Sequence, residues 1–403
     1  MESFVIKGGQ PLSGTIRPAG NKNAALPIVA ASLLADEPVV LHNVPHILDV
    51  ATMLELVAST GATVERTGPN QVRVDPRGLR RPTLDPALCA RIRASVLLAA
   101  PLVARTGHCL LPPPGGDVIG RRRLDTHLLA FRSLGVQASY HRALELEVGR
   151  LRGAPMFLDE ASVTATENAV MAAVLAQGTT VIGNAACEPH VQDLCRFLAG
   201  RGARISGIGS NLLRIEGVDR LRGGELTVEG VIEDDLRPVE VGFSRLGLTW
   251  ELAGGGRLRV PRDQTLEVAD DLGQAIPTID DGPWPAFPAD LTSIAVAVAT
   301  QARGTVLIFE KMFENRLVFV DKLVGMGARI IVCDPHRVVV NGPTQLYGER
   351  LESPDIRAGM ALLLAALAAD GESVIGNVGQ IDRGYERIDE RLRGLGANIE
   401  RTG

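Results

Sequence analysis

Hydrophobic and polar positions along the chain fall into one recurring pattern. A run rich in Ala and Leu, apolar on nearly every side, ends at a Gly. A short β-branched strand follows, then a more amphipathic helix ending in a Gly-Ala or similar turn, then another strand. Such pairs of runs occupy 23–44 and 49–66, 93–111 and 123–139, 166–184 and 193–206, 290–310 and 318–332, and 355–377 and 387–401. The glycines keep step: Gly107 with Gly135, Gly178 with Gly202, Gly304 with Gly327, Gly371 with Gly396. In the first copy Glu37 takes the earlier place and Gly61 closes the run. Repetition at a fixed period marks a repeat-built architecture. The first helix of each copy should lie buried and the second should expose one side. Helix–strand–helix–strand copies predict an α/β protein with sheets packed against central helices, in two domains of three copies each. Short strands near Val5-Ile6 and Thr15-Ile16 precede the first copy.

The fourth copy breaks the rule. Its second half is present over 223–251, with Gly224 pairing with Gly247, but its first helix is missing. The strand Leu212 to Ile215 runs almost directly into Gly223-Gly224, whereas some twenty or more residues separate Val338 from Gly371. Against the repeat's own spacing about 22 residues are absent near 221–225. The break falls where a domain boundary is expected.

Between the second copy's strand and its second helix lies PPPGGDVIGRRRLDTH, 112–127. Three prolines exclude helix and central strand, and Gly115-Gly116 admit backbone angles other residues avoid. Asp117 is therefore held on a stiff loop, followed by Arg121, Arg122 and Arg123. A helix is predicted from Arg123 to Leu134, apolar at Leu124, Leu128, Leu129 and Phe131. An acid beside three guanidinium groups at a helix entrance suits an anionic substrate with a proton to move. A solvated turn with surface arginines is the competing reading.

Composition narrows the classes. At 403 residues the chain fits two domains, and 45% apolar residues suffice for their cores. Aromatics at 3% disfavour base-stacking platforms, and a net charge of −5 argues against nonspecific nucleic-acid binding. Five cysteines without a CxxC pair point to reduced thiols, with neither metal site nor disulfide framework. No membrane span and no secretory pattern are seen, so a cytoplasmic globular protein is expected.

Other segments add candidate chemistry. Lys22 and Asn23 stand at the entrance of an apolar helix, suited to a phosphate or carboxylate or simply to solvent. Arg91 and Arg93 open the second copy's helix. Ala161-Ser162-Val163-Thr164 offers amides and hydroxyls for capping or for phosphate oxygens. The Pro-rich segment from Asp280-Asp281 to Asp290 ends in an acid at a helix entrance, an N-cap or a rigid general base. Asp49, Asp117, Arg316 and Arg383 all fall between strand and second helix of their copies, and equivalent loops can converge on one cleft.

Taken together, GNKNAALP at 20–27, NVPHILDV at 43–50, PGGDVIG at 114–120, ASVTATENAV at 161–170, PAFPADL at 285–291, MFENR at 312–316 and IDRGYERIDERLRGLGANIER at 381–401 resemble the UDP-N-acetylglucosamine 1-carboxyvinyltransferases. The sister family, 3-phosphoshikimate 1-carboxyvinyltransferase, shares the fold but lacks the PGG-acid loop and the PAFPADL segment. The resemblance implies an inverse α/β barrel fold with two domains, 21–222 and 1–20 plus 223–403, and the active site between them. It implies transfer of enolpyruvate from phosphoenolpyruvate to the 3-hydroxyl of UDP-N-acetylglucosamine, releasing phosphate, in peptidoglycan precursor synthesis. No cofactor, metal, nucleic acid or membrane is implied, and a monomer is expected.

Roles carry over residue by residue. Lys22 and Asn23 would contact phosphoenolpyruvate; Arg122 and Arg383 would hold its phosphate and carboxylate, with Arg93 lining the same cleft. Asp290 would activate the sugar hydroxyl and Asp117 would protonate the methylene carbon. Arg122, Arg123, Leu124, Asp125 and Thr126, with Glu160, Ala161, Ser162, Val163 and Met312, would contact the UDP-sugar, and Asp49, Glu314, Arg316 and Arg357 would join the substrate-binding set. Many relatives carry cysteine at the place of Asp117, the thiol that the epoxide fosfomycin alkylates, so resistance is expected. Arg123 stands where the family often has Pro. A paralogue that binds UDP-sugar without turnover is the competing expectation, motivated by the gap in the fourth copy, and altered acceptor specificity is a third.

Overall fold

The structure is a computed structural model that describes residues 2–80, 82–117, 119–120, 123–226, 232–261 and 263–403. Its chain divides into two compact units. One comprises 19–116 with 122–229; the other comprises 1–18, 117–121 and 230–403.

In the first of these units the apolar helices expected from the sequence are Lys22–Ala31, Ala99–Thr106 and Val163–Ala173. Ala165 through Ala173 are all buried, so the Val163–Ala173 helix has no solvent face. This is the position of an element apolar all round. The second helices, Leu48–Ser59, Asp125–Ser133 and Pro189–Gly200, expose one side. Strands Val39–Leu41, Gln71–Asp75 and Thr63–Gly68 form a sheet that Gly224–Leu226 joins in parallel, with Gly224 opposite Val39. His108–Leu111, Leu144–Glu147 and Gln137–Tyr140 form a second sheet, and Pro155–Phe157, Thr179–Gly183, Leu212–Glu216 and Arg204–Ser206 a third.

The other unit repeats the scheme. Thr278–Asp280, Gly304–Phe309, Arg337–Gly342 and Ile330–Asp334 make one sheet; Arg350–Glu352, Glu372–Gly376, Ser3–Lys7 and Asn398–Thr402 make another. The amino-terminal strand thus lies between two strands of the sixth copy, antiparallel to both. Helices Thr292–Ala299 and Ile356–Ala368 pack on one another in the core. Asp355 caps the second of these, accepting from the backbone N–H of Arg357 at 2.8 Å and of Ala358 at 2.9 Å.

The first, third and sixth copies share a backbone signature. Asn43, Asn184 and Asn377 each take a left-handed conformation, φ 54 to 55°, just past the strand that follows the buried helix. Asn184 donates its side-chain N–H to the carbonyl of Leu158 at 2.9 Å, and Asn377 to that of Ser353 at 2.8 Å. Each bond ties together the ends of two parallel strands.

Three local expectations change. The helix expected from Arg123 begins at Asp125, because the Arg123 carbonyl accepts from the Arg93 guanidinium at 3.3 Å and Leu124 O is the first to accept within the helix. The strand expected at Thr15-Ile16 is coil, flanked by Pro11, Pro18 and Gly14 at φ 138°. The second copy's buried helix opens as a tighter 3-10 segment, Arg93–Leu98. In the fourth copy the described residues 217–223 carry no helix, and among the described residues the strands Glu251–Leu252 and Leu258–Arg259 pair only with each other. Large apolar side chains are exposed there at Ile232, Val241, Leu252, Leu258, Val260, Leu272 and Ile276.

Candidate active site

The Asp117 loop is pinned by close backbone approach. Gly115 donates to the carbonyl of Cys89 at 2.9 Å, and a Cβ at Gly115 would lie 1.8 Å from the carbonyl oxygen of Ala90. Gly116 has φ 99°, and its Cβ would meet that of Arg93 at 2.9 Å. Only glycine fits either place. Asp117, partly buried, accepts a hydrogen bond from Arg383, whose same Nη1 donates to Gln380 Oε1 at 2.8 Å. Arg121 and Arg122 lie outside the described residues.

Asp290 sits in the short turn Ala289–Leu291 that opens the Thr292–Ala299 helix. Arg357 Nη2 is 2.6 Å from its Oδ2 and Arg316 Nη2 is 3.6 Å from its Oδ1. The acid is therefore not an N-cap but the anion of a two-guanidinium cluster. Arg357 Nη1 donates to the Tyr385 hydroxyl at 3.2 Å, and the Arg316 guanidinium lies 4.6 Å from the Phe313 ring centroid. Burial works against the Arg357 charge, but Asp290 and Tyr385 outweigh it and hold the guanidinium firmly protonated.

Behind Arg316 lie two further acids. Glu310 and Asp281 are buried, at 0% and 1% exposure. Glu310 Oε1 accepts from the backbone N–H of Met312 at 3.3 Å and of Phe313 at 3.1 Å; Asp281 Oδ1 accepts from Lys311 N. Burial, then the contact with Asp281, pushes Glu310 up to about 9, with Arg316 opposing. Asp355 is likewise raised, first by burial, with Asp117 adding to the rise. Asp355 thus senses the Asp117 charge from the cap of the helix that carries Arg357.

The unit of 19–116 and 122–229 holds the remaining candidates. Lys22, first residue of its helix, is 2.7 Å from Asp49 Oδ2, itself buried in the first turn of Leu48–Ser59. Asn23 follows Lys22 on the same helix. Arg93 is held against the Arg123 carbonyl, and Arg123 pairs with Asp125 at 2.8 Å on the surface. Leu124 is half-buried; Thr126 donates to Asp159 Oδ1 at 2.7 Å. Glu160, Ala161, Ser162 and Val163 form the entrance to the buried helix, where Ser162 takes the N-cap place without giving its hydroxyl to the helix. Met312 and Glu314 are exposed on the turn between Glu310 and Arg316.

Sequence reasoning missed Glu310, Asp281, Asp355 and Tyr385, and also His127. The His127 ring is buried, accepting from Asn168 Nδ2 at 3.0 Å and donating to Thr164 Oγ1 at 3.1 Å. The signal for Glu310 was an acid directly after the apolar strand VLIF, met by a second acid after Thr278-Ile279.

Comparisons with known proteins show which family the chain belongs to. The profile of the EPSP synthase (3-phosphoshikimate 1-carboxyvinyltransferase) family matches residues 6–233 and 258–392. A UDP-N-acetylglucosamine 1-carboxyvinyltransferase of Bradyrhizobium diazoefficiens is 52% identical, covering 99% of this chain and 98% of its own. One from Treponema denticola is 51% identical over 99% of each chain. Among solved structures, the enolpyruvyl transferase NikO from Streptomyces tendae superposes with a TM-score of 0.87 at 25% identity, covering 100% of this chain and 99% of its own.

Proposed function

The chain belongs to the family of UDP-N-acetylglucosamine 1-carboxyvinyltransferases, with the inverse α/β barrel fold of enolpyruvyl transferases, and from that premise we propose how its residues divide the reaction. It transfers enolpyruvate from phosphoenolpyruvate to UDP-N-acetylglucosamine in peptidoglycan precursor synthesis. The chemistry is addition followed by elimination. The sugar 3-hydroxyl oxygen bonds to C2 of phosphoenolpyruvate as its proton passes to Asp290, while C3 takes a proton from Asp117. The resulting tetrahedral phospho-ketal then loses a C3 proton and the phosphate. Following the resemblance, Lys22, Asn23, Arg93, Arg122 and Arg383 are assigned to phosphoenolpyruvate, and Arg316 and Arg357 are added as cations for the substrate carboxylate. The UDP-sugar rests on Arg123, Leu124, Asp125, Thr126, Glu160, Ala161, Ser162, Val163, Met312 and Glu314, and Asp49 orients Lys22.

The observation that carries this reading is Asp290 between Arg357 and Arg316. Arg383 on Asp117 and Lys22 on Asp49 follow the same logic. Lys22, Arg316, Arg357 and Arg383 each rest on a protein carboxylate that a substrate anion can displace. When phosphate draws Arg383 away, Asp117 is released from its cationic partner and can turn to C3 of the substrate. Asp290 is released in the same way as the substrate carboxylate claims its guanidinium partners. No helix among the described residues is long and apolar enough to cross a membrane, and we place the reaction in the cytoplasm. Asp290→Asn and Asp117→Asn should each lower phosphate release by about 10²–10⁴-fold while UDP-N-acetylglucosamine still binds. Loss of less than tenfold in either would remove that residue from its role.

A further inference from the structure

A strand-end bond shared by the third and sixth copies is replaced in the fifth, beside the site. In the third and sixth copies an Asn past the strand end donates to the carbonyl of the residue following the parallel neighbour, Asn184 to Leu158 and Asn377 to Ser353. In the fifth copy Asp280 lies opposite Phe309 in the same parallel register, so the matching pair is Glu310 and Asp281. A donor facing an acceptor has become an acid facing an acid.

Both acids are buried, and each has one oxygen without a donor: Asp281 Oδ2 and Glu310 Oε2. Two buried carboxylates side by side repel when both are ionised, and one proton between the two side chains relieves that repulsion. Arg316 Nε, itself without a hydrogen-bond acceptor, lies 3.5 Å from Glu310 Oε2, while its Nη2 lies 3.6 Å from Asp290. The guanidinium is thus suspended between one acid pair behind and one carboxylate in front.

We propose that Asp281 and Glu310 hold a single proton between them and so keep Arg316 balanced toward Asp290, making both acids positioning residues for the transfer. The inference rests on Asp290 as the base. With one proton the pair carries a single negative charge, matching the single charge of Asp290 across Arg316. With none, two charges pull the guanidinium back; with two, Arg316 closes on Asp290 and weakens it as a base. The other charged groups facing the pair are Lys311, whose ammonium binds Asp280, and His336, whose Nδ1 donates to the Glu310 carbonyl at 2.7 Å. Arg357 shares Asp290, and Asp355 feels the Arg316 charge. None of these gives a proton donor to Asp281 Oδ2 or Glu310 Oε2.

The test compares Glu310→Gln, Asp281→Asn and the double variant with the parent enzyme in phosphate-release kinetics and urea unfolding from pH 6 to 10. The parent should lose activity as pH passes about 9, when the shared proton leaves. In Glu310→Gln the amide is a permanent donor to Asp281, and that alkaline loss should disappear. Asp281→Asn, whose amide donates to Glu310, serves equally if the first variant folds poorly. The double variant leaves no charge behind Arg316, and its kcat should fall about tenfold with KM changed less. Unfolding gives a readout independent of turnover. Between about pH 4.5 and about 9 the folded chain holds a proton that the unfolded chain has released, so stability falls as pH rises. The parent's unfolding constant should grow by up to about tenfold per pH unit more steeply than that of Glu310→Gln. An unchanged alkaline limb together with an unchanged unfolding slope in both single variants overturns the proposal. Asp290→Asn is run alongside: full activity there would remove the base reading, while the unfolding slope would still decide whether the pair shares a proton.

Discussion

The resemblance sets Asp117, a carboxylate, in the place of a thiol, and the consequence is directly measurable. A carboxylate is a far weaker nucleophile toward an epoxide, so preincubation with fosfomycin should cause no time-dependent loss of activity. Asp117→Cys should become inactivated in the same assay; inactivation of the parent enzyme would contradict the assignment. His127 makes a second residue-scale prediction. Burial, with the Arg93 charge adding, pushes its ring down to about 3, so the folded chain keeps it neutral where the unfolded chain protonates it. Below about pH 6.5 the unfolded state binds the extra proton, and stability contributed above that pH is lost as pH falls toward 3. His127→Leu should flatten that acid loss in urea titrations while lowering stability at pH 7.5 by about 1–3 kcal/mol, because Asn168 and Thr164 lose their partner. The sequence marked Asp117 and Asp290 because proline and glycine declare a fixed loop without help from the rest of the chain. Glu310 carried no such mark, and the Pro-rich segment that begins at Asp280-Asp281 did not reveal its partner. The two acids meet only through the parallel pairing of strands that 23 residues separate, and strand register is not written in either strand alone.

At the scale of elements, the start of the Ile356–Ala368 helix links stability to chemistry. Asp355 caps it through two backbone N–H groups, and the next residue but one, Arg357, reaches Asp290. Asp355→Ala should therefore cost about 1 kcal/mol in a thermal or urea melt and also lower kcat. Asp355→Asn keeps the cap and should restore most of both; a stability loss with no kinetic effect would break the link. Helices were the legible elements, since an Ala/Leu run ending at Gly states its own limits, as Gly107 shows by closing Ala99–Thr106 at φ 75°. The Asp125–Ser133 helix starts late because a guanidinium from a different segment occupies the Arg123 carbonyl, and no local pattern encodes that.

Across the whole molecule the fourth copy is where the described residues follow the pattern least, with no helix over 217–223 and Glu251–Leu252 paired with Leu258–Arg259 alone among the described residues. The exposed apolar side chains between Ile232 and Ile276 accompany that departure. Ligand binding should offset part of any lost stability: UDP-N-acetylglucosamine at 100 times its Kd adds about 2.7 kcal/mol, seen as a higher melting temperature. Repetition was legible because each copy restates the same apolar period, whereas the strand from 224 that joins the first copy's sheet was not, being distant in sequence from Val39–Leu41. Phosphate released from phosphoenolpyruvate, measured with and without UDP-N-acetylglucosamine, puts enolpyruvyl transfer by this chain to the most direct test. Release that depends on the sugar nucleotide and matches product formation one to one is the predicted result. Tight binding of UDP-N-acetylglucosamine with no phosphate released would contradict it.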